Sequence, residues 1–453
     1  MWILNRTLGF LIAVSFLFNP QSARSQDAKE TPASRGRQAL LGKSYAPALV
    51  SRKAYQELWK TWSLDAPPAN FDRELRERYG LHEAPYENDG FPMGLRKTPG
   101  LLGGAGVGYD CLLCHGGSVN GQSIIGLGNS SLEWQSLFDE LFQSEGVPHG
   151  IPIQFSHTRG TTEAAAAIVH LMQIRDENLN FRVPVKILFE GPICEDVPAW
   201  WLMKKKKHLY HPGSHPGESV RIGMAFLIHP LNPPQRIRDA EEDYKNIREF
   251  ILTLEPPRYP YEINQEIADA GKLLFNSHCA KCHGTYGPDE TYPSKIIELD
   301  KIGTDPVLAE QFANYAKEAY NKSWFGKEVS SDGRPLKAKQ SPGYQAPPLD
   351  GIWATAPYLH NGSVPTVAGV LNSLERPKIF TRSFRTDKES YDTVGLGWKF
   401  KTLTTPPSAD QPAIERRKVY DTTKRARSNS GHNYGDILSN EERKQVIEYL
   451  KTL

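Results

Sequence analysis

Two short cysteine motifs carry the clearest chemistry in the sequence. Residues 111–115 and residues 279–283 both read C-x-x-C-H, the attachment signature of c-type haem. Two thiols at this spacing can form thioethers to the vinyl groups of one porphyrin, and the histidine that follows becomes the proximal ligand of the iron. A zinc ribbon does not need this fixed histidine, and a thioredoxin-like site requires a nearby βαβ pattern.

The sequence therefore predicts two covalently bound haems c. The predicted attachment residues are Cys111, Cys114, Cys279 and Cys282, and the predicted proximal iron ligands are His115 and His283. Cys194 is the one cysteine outside the motifs, and we expect it to be a structural thiol because nothing beside it in the sequence would lower its pKa.

The N-terminal 25 residues have the pattern of a secretory signal peptide. A basic Arg6 precedes an apolar run from Leu8 to Phe18, and Ala23-Arg24-Ser25 is a small-x-small cleavage site. The apolar run is shorter than the roughly 20 residues that cross a bilayer. We expect residues 1–25 to be removed, and the mature chain to be exported to the periplasm or beyond the cell without a membrane span.

Composition places the chain in the ordinary globular range. Hydrophobic residues make up 39% of the 453 residues and charged residues 23%, which excludes a disordered tail, a coiled coil and a polytopic membrane protein. The formal charge of +2 becomes neutral once Arg6 and Arg24 are removed, so nothing in the charge indicates a nucleic-acid partner. The run of lysines at 204–207 predicts a solvated face, with docking of an acidic redox partner as the alternative.

The chain divides into two halves that end alike. Residues 247–254 and 446–453 have similar sequences and are each predicted to form a closing helix, the second with a capping box at Ser439 and Glu442. A proline-rich linker at 255–260 follows the first of these helices. We therefore expect an N-terminal haem c domain at 26–255 and a C-terminal cytochrome c domain at 256–453.

Helical patterns dominate, and long loops connect them. In the second half, Asn264 is the predicted N-cap of a helix that leads into Cys279. This helix resembles the one that crosses a C-terminal helix near a small residue in the cytochrome c fold, and the resemblance implies a crossing of Gly271 against Tyr449. The glycine-rich residues 101–108 before the first motif are expected to be a flexible loop instead. Further helices are predicted at 53–62, 132–143, 162–174, 237–254 and 307–320. The predicted fold is mainly α, with two cytochrome c-like haem domains that contain long loops and insertions.

The sixth ligand of the second haem follows by elimination. All methionines of the mature chain precede the linker, and His278 adjoins Cys279 too closely to reach across a porphyrin. His432, in a turn-rich loop before the last helix, is the predicted ligand, and His360 is the alternative. For the first haem, Met172 and His170 lie on an alanine-rich helix, and an open sixth position is equally compatible.

These residues resemble the dihaem cytochrome c peroxidase superfamily, and within it the branch that contains dihaem rubber oxygenases. The resemblance rests on residues 351–366, the loop 431–435 and the final helix, and more weakly on 91–95, 159–162 and 198–201. It implies a six-coordinate C-terminal haem, with His432 as its distal ligand, that feeds electrons to an N-terminal haem able to bind peroxide or oxygen. It also implies a tryptophan between the haems, which Trp200 or Trp201 resembles.

Two functions remain open at this point. The chain is predicted to be an exported dihaem cytochrome for electron transfer, with peroxidase-type activity if the N-terminal haem is open; the alternative is a haem-dependent oxygenase that resembles rubber oxygenase. The expected partners are a redox protein or a small oxidant, peroxide or oxygen. The catalytic residues are unknown, and the candidates are His157, Arg159, Trp200 and Trp201. A non-redox structural role is the third hypothesis.

Overall fold

A computed structural model describes residues 30–100, 103–147, 154–183, 191–229, 231–311 and 314–453. The predicted signal peptide at 1–25 lies outside the described residues. Within the described chain, Pro32–Leu453 forms one compact unit. Among the described residues no helix is both long and apolar enough to cross a membrane.

Helices account for 37% of the structure and strands for 13%. In chain order the α-helices are α1 (Pro32–Gly42), α2 (Arg52–Glu57), α3 (Phe71–Tyr79), α4 (Leu112–His115), α5 (Trp134–Ser144), α6 (Ala164–Met172), α7 (Arg221–Met224), α8 (Pro234–Asp239), α9 (Glu241–Ile251), α10 (Gln265–His278), α11 (Ala280–His283), α12 (Leu299–Ile302), α13 (Val307–Gln311), α14 (Asn314–Lys322), α15 (Val367–Leu371), α16 (Ala413–Arg417) and α17 (Asn440–Leu450). Short 3₁₀ turns include Leu58–Trp62, Trp200–Lys204 and Ile352–Ala354.

The strands are short, and their pairs are antiparallel. They are β1 (Val50–Ser51), β2 (Leu95–Pro99), β3 (Ala105–Tyr109), β4 (Gly116–Val119), β5 (Gln122–Ile125), β6 (His208–Leu209), β7 (His215–Pro216), β8 (Ile296–Glu298), β9 (Gly343–Gln345), β10 (Ile379–Thr381), β11 (Tyr391–Asp392), β12 (Gly397–Trp398), β13 (Lys401–Thr402) and β14 (Val419–Asp421). Two sheets have three strands, in the orders β1-β3-β2 and β13-β10-β14, and the remaining pairs are β4-β5, β6-β7, β8-β9 and β11-β12.

Each half of the described chain contains a pair of helices that cross at a glycine. Helix α1 packs on α9, and helix α10 packs on α17. A Cβ atom added to Gly36 of α1 would lie 1.8 Å from the carbonyl oxygen of Asn246, and one added to Gly271 of α10 would lie 1.9 Å from that of Gln445. Each crossing therefore requires glycine, because the two backbones touch there.

The caps predicted for the second pair are confirmed. The Asn264 side chain accepts from the Ile267 N–H at 3.1 Å and caps α10. Ser439 and Glu442 form the predicted capping box of α17. The crossing at Gly271 is also confirmed, but its contact is Gln445 rather than Tyr449. The Tyr449 ring instead packs on Phe275, one helical turn further along α10, with ring centroids 5.3 Å apart.

Two predictions about elements are wrong in detail. The predicted helix at 237–254 is interrupted at Ala240, which ends α8 and begins α9. The glycine-rich segment before the first motif is not a flexible loop throughout, because Ala105–Tyr109 forms the central strand of a sheet between Leu95–Pro99 and Val50–Ser51. Glycine lets neighbouring segments approach here: a Cβ on Gly106 would lie 2.5 Å from the Ala48 Cβ.

Two hydrophobic cores surround the two motifs. One joins α1, α9 and the segment 222–228 and includes Trp200. The other joins α10, α17 and the residues around Trp353, Tyr391 and Trp398, and it includes Trp201. Adjacent tryptophans thus belong to different cores.

Candidate functional site

The first motif begins at a turn that a buried ion pair holds in place. The Asp110 carboxylate accepts from the Leu112 N–H at 2.7 Å, which caps the single turn of α4. Arg96 on β2 donates to the same carboxylate at 2.6 Å, and both side chains are almost fully buried. The His115 N–H donates to the Cys111 carbonyl at 3.0 Å. This turn gathers the two thiols and the histidine at the end of β3.

His115 is held between a tryptophan and a large cavity. Its ring stacks on the Trp200 indole, with centroids 4.6 Å apart and planes inclined by 23°. Burial lowers the pKa of His115 to about 4, and the Pro198 carbonyl opposes part of that shift. The imidazole is therefore neutral at physiological pH, the form that binds a metal ion.

A cavity of about 2190 Å³, counting the space open to solvent, borders both thiols of the first motif and His115. Its walls are mostly apolar and come from α6, α9 and the segment 195–227. The part of this space that water-sized molecules can occupy is about 310 Å³, which lies within the roughly 300–1,000 Å³ of ordinary small-ligand pockets. A porphyrin attached at Cys111 and Cys114 would enter this space, so the residues fit a haem.

The structure does not bring the candidates His157 and Arg159 to this cavity. The Arg159 guanidinium donates to the carbonyls of Ser131 and Glu77, each at 2.9 Å, and lies over the Phe384 ring. His157 is half-buried, and burial together with nearby Arg427 lowers its pKa to about 4. Arg159 therefore ties backbone segments together, and neither side chain lines the wall beside His115.

The methionine candidate also lies away from the cavity. Met172 packs against the first hydrophobic core and does not line the cavity, whereas Met203 does. His170 lies on α6, and its side chain is outside the described part of the structure. The described residues thus place Met203, and not Met172, at the cavity wall.

The second motif continues directly from a long helix. Cys279 ends α10 and begins α11, and its carbonyl accepts from the His283 N–H at 3.1 Å. The Nδ1 atom of His283 lies 2.8 Å from the Pro347 carbonyl oxygen, which fixes the tautomer with the proton on Nδ1. This leaves Nε2 as the ring atom that can bind iron.

His432 faces His283, with ring centroids 6.1 Å apart. Two imidazole–metal bonds of about 2 Å each place ring centres about 6 Å apart across a metal ion, so the separation fits an iron between them. The His432 N–H donates to the Ile302 carbonyl at 2.8 Å. Burial, and to a lesser extent the neighbouring His283, lower the pKa of His432 to about 4, which keeps it neutral.

Arg376 and a glycine hold the loop that carries His432. The Arg376 guanidinium donates to the carbonyls of Asn429, Gly431 and His432 at 2.6, 2.7 and 3.1 Å. Gly431 has φ of +73°, and a Cβ there would lie 2.2 Å from the Gly303 carbonyl carbon. The Gly-His sequence thus lets the loop approach 302–304 closely enough to place His432 opposite His283.

The alternative ligand His360 does not face His283. Its ring stacks on Tyr344, with centroids 4.0 Å apart, and lies 6.4 Å from the His211 ring. Its backbone carbonyl accepts from the Asp196 N–H at 2.8 Å. His360 therefore packs between the segment around Asp196 and β9.

Trp200 and Trp201 connect the surroundings of the two proximal histidines. Trp200 stacks on His115, while the Trp201 indole N–H donates to the Asp350 carbonyl at 2.8 Å. Asp350 is three residues from Pro347, whose carbonyl contacts His283. Of the sequence candidates, these two are therefore the ones found between the motifs.

Some residues of the site were not anticipated. The carbonyl of Pro347 lies 2.8 Å from Nδ1 of His283, and no side-chain pattern in the sequence marks a backbone acceptor. Gly36 had a detectable signal, since Gly36-Arg37 in α1 parallels Gly271-Lys272 in α10.

Comparisons with known proteins agree with a haem protein. Residues 343–381, which include Pro347 and His360, match the sequence family described as RoxA-like, cytochrome c-like. Two proteins of Sinorhizobium fredii (strain NBRC 101917 / NGR234), both named uncharacterized, are 30% identical: y4iM over 300 residues, 57% of this chain and 64% of that protein, and y4iJ over 267 residues, 44% of this chain and 41% of that protein. The chain thus spans less than two thirds of either relative.

Among solved structures, a chain of Kuenenia stuttgartiensis hydrazine synthase aligns with 66% of this chain and 90% of its own length, at 14% identity and a TM-score of 0.28. The family match over residues 343–381, together with the C-x-x-C-H motifs, supports a cytochrome c-like haem protein. It likewise supports haem c as the cofactor.

Proposed function

We propose that the chain is an exported dihaem cytochrome in which one haem transfers electrons and the other reacts with a small oxidant. One haem c would be attached at Cys111 and Cys114 with His115 as its ligand. The other would be attached at Cys279 and Cys282. The observation that carries the proposal is the contrast between the two proximal histidines: His283 faces His432 at 6.1 Å, whereas His115 borders a large cavity.

The protein residues would divide the work between the two sites. His283 and His432 would saturate the second iron, which suits electron transfer because no site is left for a substrate. Trp200 and Trp201 lie between the two sites, on the route along which an electron would pass. At the first site, the apolar walls would limit access of water and leave room for peroxide or oxygen. Reduction of one peroxide to two waters takes two electrons from a reduced redox partner and two protons from solvent.

A second candidate function is a haem-dependent oxygenase acting on an apolar substrate. The family match to RoxA-like proteins and the apolar walls of the cavity favour it. The substrate depends on the pocket rather than on the fold. The same open iron would serve both functions, so the distinction lies in what else the cavity admits.

The first test is the absorption spectrum of the dithionite-reduced holoprotein before and after carbon monoxide, with haem counted as pyridine haemochrome. We expect two haems per chain and about one bound carbon monoxide. Two haems without carbon monoxide binding would contradict an open first haem and leave an electron carrier. A single haem would contradict the dihaem proposal.

Activity then separates the two candidates. Peroxide-dependent oxidation of a reduced c-type cytochrome would support the peroxidase function. Oxygen uptake that depends on added polyisoprene latex, without peroxide, would support the oxygenase. A protein that binds carbon monoxide but shows neither activity would contradict both assignments.

A further inference from the structure

One lysine of the basic run, Lys206, is half-buried and lines the cavity of the first motif. Lys204 pairs with Glu255 at 2.6 Å, and Lys205 pairs with Glu290 and Asp350, each at 2.7 Å. Lys206 lines the cavity, and Lys207 is exposed. The prediction of a solvated face is therefore wrong for Lys205 and Lys206.

Lys206 lacks the partner that other cations of this cavity have. Lys43 pairs with Asp243 at 2.7 Å, and Arg248 pairs with Glu249 at 3.1 Å. Within the described residues no carboxylate or carbonyl lies within hydrogen-bonding distance of the Lys206 ammonium. Burial is the one cause that lowers the pKa of Lys206, to about 8, and no acidic group acts against it.

The carboxylates on the cavity wall are engaged elsewhere. Glu195 accepts from the Ala165 N–H at 2.9 Å, at the start of α6, and Asp110 pairs with Arg96. Asp196 lies near Arg382, and its pKa is raised by burial. None of these three carboxylates pairs with Lys206.

Lys206 and Arg248 lie on the same side of the cavity, because both border Gly217. The Gly217 carbonyl accepts from the Arg248 guanidinium at 3.3 Å, and the Gly217 N–H donates to the Lys207 carbonyl at 2.8 Å. A Cβ on Gly217 would lie 2.6 Å from the Lys206 carbonyl oxygen. The absence of a side chain at Gly217 thus allows the two cationic segments to meet.

An ammonium group that is removed from water without a counter-ion is strongly destabilising. A haem carries two propionate carboxylates on one edge, and it would place them inside this cavity. We propose that Lys206 binds a propionate of the haem attached at Cys111 and Cys114, with Arg248 beside it, and so orients that edge of the porphyrin toward Gly217. This inference rests on the proposed attachment of a haem at the first motif.

The test compares Lys206→Met, Lys206→Arg and the exposed neighbour Lys207→Met in the holoprotein. Resonance Raman spectroscopy reports the propionate bending vibration, and spectroelectrochemistry reports the two reduction potentials. In Lys206→Met we expect one propionate band to shift and the potential of one haem to fall, because the lost positive charge had disfavoured the ferric state. Lys206→Arg should restore both signals, and Lys207→Met should match the wild-type protein.

Other outcomes would overturn the proposal in distinguishable ways. A fall in potential without a change in any propionate band would mean that Lys206 acts as a distant charge. A change from low-spin to high-spin iron in Lys206→Met that Lys206→Arg does not reverse would make Lys206 an iron ligand. Two haems with unchanged bands and potentials would contradict the role of Lys206 alone, whereas a haem count of one, at the second motif, would contradict the proposed function as well.

Discussion

Each of the two C-x-x-C-H motifs belongs to a half of the chain that contains a pair of crossing helices, but the two motifs have different surroundings. Each half of the described chain has an early helix and a late helix that cross at a glycine. Gly36 of α1 contacts α9, and Gly271 of α10 contacts α17. In the second half the early helix runs directly into the motif at Cys279. In the first half a three-stranded sheet and several helices separate α1 from Cys111.

The two proximal histidines also face different surroundings. The short loop around His432 is drawn against 302–304 and closes the space opposite His283. Around His115, α6, α9 and the segment 195–227 form the walls of the cavity. Under the proposed function, the same kind of helix crossing would accompany a closed site for electron transfer and an accessible site that reacts with an oxidant.

The largest effect is expected when one pair of thiols is removed at a time, because this tests which motif holds the open haem. We expect Cys111→Ala/Cys114→Ala and Cys279→Ala/Cys282→Ala each to lower the covalent haem count from two to one, because each pair anchors its own porphyrin. Carbon monoxide binding should vanish in the first variant and persist in the second. Pyridine haemochrome and carbon monoxide difference spectra measure both effects.

Cys194→Ala is the control for these variants, since Cys194 is fully buried and lies outside the motifs. It should keep two haems. Loss of carbon monoxide binding with the second pair instead of the first would reverse the assignment of the open site.

The next largest effect is expected from removing the predicted sixth ligand of the second haem. His432→Ala removes the side chain opposite His283, so we expect carbon monoxide binding to rise from about one to about two per chain and the ferric second haem to become high-spin. Titration of the reduced protein with carbon monoxide measures the ratio. His360→Asn is the control and should stay at about one; a rise in that variant and not in His432→Ala would make His360 the ligand.

Local pattern in the sequence predicted the starts of α10 and α17, and the capping residues confirm both. Motif spacing indicated both thiol pairs and elimination among histidines favoured His432 for the second iron, and these stay predictions. The sheet around Ala105–Tyr109 was missed because a glycine-rich segment is typical of a loop, and the strands that pair with it are distant in the sequence. The position of Lys206 at the cavity wall was missed because adjacent lysines look alike in a sequence, whereas in the structure Lys205 pairs with acidic residues and Lys206 lines the cavity. Arg159 was misjudged as a distal candidate because its partners are backbone carbonyls far away in the chain.

Glu163, which lies in the chain between the cavity-lining residues Thr162 and Ala164, should make stability depend on pH. Glu163 is fully buried, and its carboxylate accepts from the Ile193 N–H at 2.7 Å. Burial raises its pKa to about 8, the backbone donors oppose this shift, and the charge of Glu195 adds to it. Because the folded-state pKa lies above the ordinary value, the protonated form is stabilising; this contribution is complete at acidic pH and is lost as the pH rises toward 8.

Glu163→Gln should therefore flatten the decline in unfolding free energy between pH 5 and pH 8, by on the order of 3 kcal/mol. Thermal unfolding of the holoprotein at the two pH values measures it, and the exposed Glu310→Gln is the matched control. An equal decline in wild type and Glu163→Gln would mean that Glu163 is ionised in the folded protein.

The smallest effect tests whether the two helix crossings, α1 on α9 and α10 on α17, contribute equally to stability. Gly36→Ala and Gly271→Ala each place a methyl group within 2 Å of a facing backbone carbonyl, and a backbone cannot move aside as a side chain does. We expect each to lower the unfolding free energy by about 2 kcal/mol, by forcing the helices apart. Gly42→Ala, at the end of α1 with nothing within 4 Å, is the control and should leave stability unchanged or raise it by about 0.5 kcal/mol. Thermal unfolding of the three holoproteins gives the comparison. A large loss of unfolding free energy in Gly271→Ala with none in Gly36→Ala would show that the contact between α1 and α9 contributes little. Other contacts, and not this helix pair, would then stabilise the first site.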